Sequence, residues 1–224
     1  ADTYNQLDRS YLTPRNWEPG DLKYLDLNND NKLNNGGNRL GDMGDLTIIG
    51  NTTARYSYSF NGSISWKGLS LYTLFQGVGK RDFAPGVQDA YFWGDGAFAQ
   101  VTVFKQHLDY WTPENPDAYY PRPYTSAAGA ISSYLNKTQQ TSDRYLQNAA
   151  YLRLKNLTLS YTVPTEISEK LKINKVNIFV TGENLATFTK LAKMFDPETL
   201  SGANGTGKLY PLSKIYSAGL KIGL

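Results

Sequence analysis

Hydrophobic and polar positions alternate with period two over several stretches of the chain. From Tyr56 to Trp66 one parity reads Tyr56, Tyr58, Phe60, Gly62, Ile64, Trp66 and the other Ser57, Ser59, Asn61, Ser63, Ser65. Successive side chains on a strand point to opposite faces, so this stretch predicts a β-strand with one apolar, aromatic face and one small, polar face. Lys67-Gly68 predicts a tight turn; beyond it Leu69, Leu71, Thr73 and Phe75 share one parity and Ser70, Tyr72, Leu74 and Gln76 the other, completing a hairpin. A second hairpin is predicted where Leu157, Leu159, Tyr161 and Val163 alternate with Asn156, Thr158, Ser160 and Thr162, ended by Pro164. Its return strand runs from about Val176 to Phe188, with Phe179 breaking the alternation, and Thr165 to Leu171 is expected to form one or two helical turns between them. A last strand is predicted where Ala218, Leu220, Ile222 and Leu224 oppose Ser217, Gly219, Lys221 and Gly223.

Each of these five strands is close to the roughly 9–11 residues that a tilted barrel strand needs to cross a bilayer. The connections are unequal: two residues at Lys67-Gly68 and about eleven at Pro164 to Asn174, against about seventy from Gly79 to Ala149 and a long Gly- and Asn-rich stretch from Met194 to Ser213. Short and long connections alternate in chain order, so short turns gather at one end of the sheet and long loops at the other, as in an outer-membrane barrel. A soluble sandwich also alternates, but its wet face should carry many Lys and Glu, and here that face is Ser, Thr and Asn. The predicted class is all-β, with antiparallel transmembrane β-barrel strands and long extracellular loops.

Composition narrows the chemistry. The 224 residues carry 23 Lys+Arg and 20 Asp+Glu, a balance too even for a phosphate-binding footprint, so nucleic acid is excluded as an expected partner. With no Cys and with His107 as the one histidine, neither a thiolate site nor a multi-histidine metal site can form. No run approaches the ~18 apolar residues of a membrane-spanning helix. The sequence shows no nucleophile, cofactor fingerprint or catalytic His partner, and Glu114, Asp117, Glu183, Asp196 and Glu198 are expected to serve loop structure rather than glycoside hydrolysis. The chain is not expected to be an enzyme.

Several stretches carry a family resemblance. Tyr151-Leu-Arg-Leu-Lys-Asn-Leu-Thr-Leu-Ser-Tyr-Thr-Val-Pro164, Asn177-Ile-Phe-Val-Thr-Gly-Glu-Asn-Leu-Ala-Thr-Phe-Thr-Lys190, Asp196-Pro-Glu198 and Tyr210-Pro211 resemble the C-terminal end of SusC/RagA-type TonB-linked outer-membrane transporters of Bacteroidetes. So do Gly20 to Asp30, Asp45 to Gly50, Phe75 to Val78, Tyr110 to Pro116 and Tyr120-Pro-Arg122, in the family's order and over nearly the whole chain. The resemblance implies a barrel of about 22 strands, filled by a plug, energised through the TonB complex and capped by a SusD-like surface lipoprotein, importing a glycan or peptide substrate across outer-membrane lipid. Five strands cannot close such a cylinder, so the chain is expected to be the C-terminal part of a larger transporter, its C-terminus periplasmic. Four regions follow: an extracellular loop over 1–53, a barrel hairpin over 54–79, a long extracellular loop over 80–149 and C-terminal barrel strands over 150–224. The alternative is a soluble, secreted carbohydrate-binding β module.

Three sets of residues stand out as candidate sites. Asp26, Asn28 and Asp30 offer oxygens at the first, third and fifth positions of a calcium loop, Lys32 a backbone carbonyl at the seventh, and Asn31 suits the left-handed turn usually made by Gly; Asn34 closes the run. The twelfth position is Gly37 rather than Glu, which leaves an Asx-rich, self-capping loop as the competing reading. In the long loop, Trp93 and Trp111 are the rings expected to touch ligand or lipoprotein lid, since aromatic faces stack on sugars and anchor interfaces. Finally, Ser217, Gly219, Ile222 and Leu224 fit a polar-x-Gly-x-x-apolar-x-apolar pattern that resembles the barrel-insertion signal, although the family usually ends in Phe.

Overall fold

The computed structural model describes residues 6–12, 17–86, 89–94, 103–123, 139–200 and 210–223. The chain divides into two compact units, one formed by Ala1–Gly50 with Ala84–Leu146 and the other by Asn51–Phe83 with Gln147–Leu224.

The second unit is built on strands β1 (Ser57–Trp66), β2 (Leu69–Val78), β5 (Tyr151–Thr162), β6 (Lys175–Thr189) and β7 (Ile215–Gly223). They pair antiparallel in the order β1-β2-β5-β6-β7, an open sheet with β1 and β7 at its edges. A short ladder of β3 (Asp82–Phe83) with β4 (Gln147–Asn148) accompanies it. Lys67 and Gly68 join the first hairpin with φ of 48° and 84°, the paired positive values of the turn whose twist matches flanking strands. After Pro164, one helical turn, α2 (Thr165–Ser168), and a 3-10 turn over Glu169–Leu171 lead into β6, as the sequence predicts.

Register carries the alternation across the whole sheet. Trp66, Leu69, Tyr161, Ile178 and Leu220 lie in one row and Ile64, Leu71, Leu159, Val180 and Ala218 in the next. The opposite face reads Ser63, Tyr72, Thr158, Thr181 and Ser217 in one row and Asn61, Leu74, Asn156, Glu183 and Ile215 in another. Hydroxyls on that polar face bond across strands, Ser65 Oγ to Ser70 Oγ at 2.7 Å and Thr158 Oγ1 to Thr181 Oγ1 at 2.9 Å. The apolar face is uncovered: Ile64 and Trp66 are each 69% exposed and Ile178 50%. Soluble proteins seldom leave so continuous an apolar surface open.

Two local departures from strict alternation have physical causes. β5 begins at Tyr151, earlier than its alternation indicates, because Lys155 is an extra residue against β2; the register against β6 shifts at the same place, with Asn184 and Leu185 opposite Lys155. The extra residue moves the apolar set from Leu152 and Leu154 before it to Leu157, Leu159 and Tyr161 after it; Arg153 and Lys155 share the polar face by ordinary alternation, and the bulge adds Asn156 to it. On β6, Phe179 sits on the polar face opposite Gly219 of β7, where a Cβ on Gly219 would meet the ring at 2.4 Å. The ring occupies the space that any larger residue at 219 would need. Leu224, the last residue of the insertion pattern, lies outside the described residues.

Pairing of Leu69 with Tyr161 and of Lys175 with Gly223 puts the Lys67-Gly68 turn, the 163–174 connection and the end of β7 at one end of the sheet; the two longer connections leave from the other. The unit's buried apolar residues gather at that second end, where Phe83, Ala149, Tyr151, Leu191, Phe195 and Leu200 are each under 9% exposed and Phe83 meets Phe195 edge-on at 5.1 Å.

Among the described residues, the first unit has little regular structure: α1 (Ala90–Trp93) and 3-10 segments at Lys105–Leu108 and Asp143–Tyr145. Leu12 and Leu33 form one small core with Leu7, Trp17 and Tyr24 against it.

Gly219→Val is expected to lower the temperature at which the β-sheet circular dichroism signal is lost, by an overpacking cost of about 1–3 kcal/mol. Adding Phe179→Ala should recover part of that loss, since it empties the space the new side chain needs; equal melting of the three proteins would refute the packing account.

Candidate functional site

Within the first unit, extended and turn backbone from 20–27 and 45–49 encloses a cleft of about 800 Å³ with side chains of 111–121 and 140–144. Tyr24, Trp111 and Tyr120 supply rings to its wall, and Asp45, Ser142 and Arg144 supply polar groups. Ser142 Oγ is buried there with no hydrogen-bond partner among the described residues. Trp111 is held from two sides. Gly20, at φ of 93°, lies so close that a Cβ would stand 2.4 Å from the indole, and the Arg122 guanidinium lies 6.0 Å from the ring centre while its Nη1 pairs with Glu18 at 2.8 Å. The indole is therefore half-buried, one part fixed in the loop and another presented to the cleft.

Trp93 occupies a different position. It is 7% exposed, donates its indole N–H to Gly86 O at 2.9 Å, and meets Phe92 and Tyr145 edge-on at 4.7 and 4.9 Å. Tyr119, Tyr120 and His107 complete this aromatic cluster. A direct contact from Trp93 would require the cluster to open, so the two tryptophans that look equivalent in sequence stand on different footings.

His107 is the polar hinge of the cluster. Its Nδ1 accepts the Phe104 N–H at 3.0 Å, and its Nε2 lies 3.1 Å from both the Tyr91 and Phe92 carbonyls, so Nε2 carries the proton. Burial holds its pKa below the usual imidazole value, outweighing the two carbonyls, which pull it upward. Burial likewise pushes the Tyr120 and Tyr145 hydroxyls up, and Tyr145 donates its hydroxyl to Tyr119 O at 3.0 Å.

The Asp- and Asn-rich loop closes on its own backbone. Asp26 accepts the N–H groups of Asn29 at 2.7 Å and Asn31 at 2.9 Å, Asn28 that of Asp30 at 3.0 Å, and Asp30 that of Lys32 at 2.8 Å. Asp45 ties the two ends together by accepting from Leu27 and Asn34, each at 2.8 Å. Asn31 has a φ of 65°, the left-handed turn expected of it, and Asn29 matches it at 61°. Among the described residues no group of three or more acidic or histidine side chains converges on a metal centre. A cation would add to these contacts rather than organise them.

In the sheet unit, the bulged strand and the segment after β6 meet in an ionic cluster that sequence reasoning did not assemble. Arg153 Nη2 pairs with Asp196 Oδ1 at 2.7 Å, its Nη1 lies 3.1 Å from Glu198 Oε1, and Lys155 Nζ lies 3.0 Å from Glu198 Oε2. Asp196 also accepts the Glu198 and Leu212 N–H groups, both at 3.0 Å. Burial works to raise its carboxyl, but those N–H groups and the Arg153 guanidinium outweigh it and hold the pKa below the ordinary carboxylate range. The sequence shows Asp196-Pro-Glu198 plainly; its cationic partners lie 43 residues away, and nothing in the local pattern says that the chain after β6 turns back onto them. Of the insertion pattern, Ser217 and Gly219 lie on the polar face and Ile222 on the apolar one, opposite Thr181, Phe179 and Val176.

The chain is 27% identical over 213 residues to a TonB-dependent receptor of Formosa agariphila, covering 91% of this chain and 19% of that receptor. It is 27% identical over 173 residues to a second TonB-dependent receptor of the same organism, covering 77% of this chain and 15% of the receptor. Among solved structures it is similar to the RagAB peptide transporter, at 32% identity and a TM-score of 0.55 over 73% of this chain and 16% of that one. It is likewise similar to the RagAB peptide importer in its "open-open" state (29%, TM-score 0.58, 82% and 18%) and its "closed-closed" state (31%, TM-score 0.59, 81% and 18%). No family model matches. The chain spans less than a fifth of the length of the relatives it matches.

Protection factors at the Phe92, Trp93 and Phe104 amides, that is exchange corrected for its intrinsic pH dependence, are expected to fall as pH drops below about 6.5, the unfolded imidazole value. The folded pKa lies lower, so the unfolded state binds more protons in that window: stability is full above it and declines toward the folded pKa. His107→Gln should flatten the dependence, and an unchanged profile in that variant would remove His107 as its cause.

Proposed function

We propose that this chain, a segment of a SusC/RagA-type TonB-linked outer-membrane transporter, forms barrel wall and extracellular vestibule of an importer for oligosaccharides or other large nutrients, peptides included, working with a SusD-like lipoprotein lid. The observation that supports the reading is the exposed, mainly apolar face running through all five strands while the reverse face is rich in hydroxyls and amides. Hydrocarbon tolerates the first and a water-filled lumen the second. No helix among the described residues is long and apolar enough to cross a membrane, and strands need none. Edge strands β1 and β7 then pair with strands contributed by the rest of the transporter, because unpaired backbone groups in lipid cost several kcal/mol each.

The end of the sheet with the short turns is assigned to the periplasm, as is the end of β7, and the longer connections to the outside. The first unit then belongs to the vestibule. Trp111, beside Tyr24 and Tyr120 in the cleft, is the ring we assign to cargo or lid; Trp93 contributes through the cluster that shapes the loop. The chain's role is passive: it performs no bond chemistry and relies on energy delivered through TonB to the remainder of the protein.

Single cysteines in the full-length transporter test the two faces. Spin labels at Ile64, Leu159 and Ile178 are expected to be accessible to oxygen and shielded from a water-soluble nickel chelate, with the reverse at Ser63, Ser160 and Ser217. Chelate access at both sets, as in a secreted carbohydrate-binding module, would overturn the reading. The proposal extends to calcium as an added ligand of the Asp26–Asn34 turn. Calcium should slow protease cleavage within 20–50, and Asp26→Ala with Asp30→Ala should abolish the slowing; identical cleavage with and without chelator discards the metal.

A further inference from the structure

The segment 191–200 follows β6 at the long-connection end of the sheet and turns back onto the polar face. Three observations fix it there. Arg153 points to that face by register, opposite Gln76 and Thr187, and donates its Nε to Thr187 Oγ1 at 2.8 Å before reaching Asp196. Lys155, two residues on and on the same face by alternation, holds Glu198. Arg81 donates from Nη1 to Pro197 O at 3.4 Å, and Phe195 and Leu191 are buried with Tyr151. Burial along β5 agrees: Tyr151 and Arg153 on the polar face are buried, whereas Leu152 and Leu154 on the apolar face are only half-buried.

We infer that Arg153 and Lys155 are positioning residues that hold 191–200 as a fixed constriction over the polar face, limiting the size of solute that passes this stretch of wall. The inference rests on the proposed reading in which that face lines the lumen. A charged anchor suits the task better than apolar packing would. Breaking one partner of a buried pair is strongly unfavourable because it strands the other charge, so the segment has no cheap half-open state. Asp196 binds the Leu212 N–H as well, which ties the returning limb before β7 to the same point.

The test uses the full-length transporter with Ser160→Cys, a polar-face position on β5 beyond the constriction. Labelling is compared between a small cationic methanethiosulfonate and a bulky polyethylene-glycol maleimide applied from outside. The small reagent is expected to react in both the native background and Arg153→Met/Lys155→Met, whereas the polymer should react about tenfold or more faster in the latter. Restoring Arg153 with Lys155→Arg should return the native ratio, because the charge and reach to Glu198 are kept. Equal polymer rates in the two backgrounds, with the small reagent reacting in both, would overturn the constriction while leaving the lumen assignment standing. Failure of both reagents in both backgrounds would overturn the lumen assignment and the inference with it.

Discussion

Backbone pairing at a fixed register is the constraint from which the rest of the structure follows. Each of the five strands exchanges hydrogen bonds with its neighbours across nearly its full length, and side chains alternate strictly once that ladder is set. A slip of one residue anywhere would turn Ile64, Leu159 or Ile178 into a lumen of hydroxyls and send Ser and Thr to the other side. The cross-strand hydroxyl pairs and the glycine under Phe179 hold that register from the polar face.

The Lys155 bulge costs pairing at one position, and beside it Arg153 and Lys155, two residues apart on one face, meet Asp196 and Glu198. The cluster stands at the end of the sheet where the longer connections leave, and the unit's buried apolar residues surround it. The sheet is thus uncovered on its apolar face and capped on its polar face, the reverse of a water-soluble sheet, whose apolar side carries the core.

The first unit solves a different problem. It has few ladders with which to satisfy its backbone, so its Asx side chains and tyrosines do so instead: Asp26 and Asp45 accept four N–H groups between them, and the His107 ring bridges Phe104 to the carbonyls of Tyr91 and Phe92. The aromatic residues Phe92, Trp93, Tyr120 and Tyr145 form that unit's interior, while Trp111 and Tyr120 also line the cleft.

The amino-acid sequence by itself determined the five strands, both short connections, the helical turn after Pro164 and the two-faced character of the sheet. All of these are local: alternation, turn dipeptides and a proline act within ten or so residues, so they are written in consecutive positions. Tertiary structure alone decided the start of β5, the reason for Phe179, the burial of Trp93 and the joining of Arg153 and Lys155 to Asp196 and Glu198. Each of these depends on which residue a neighbouring strand or loop sets opposite it, and a single inserted residue changes that pairing without altering the composition on either side.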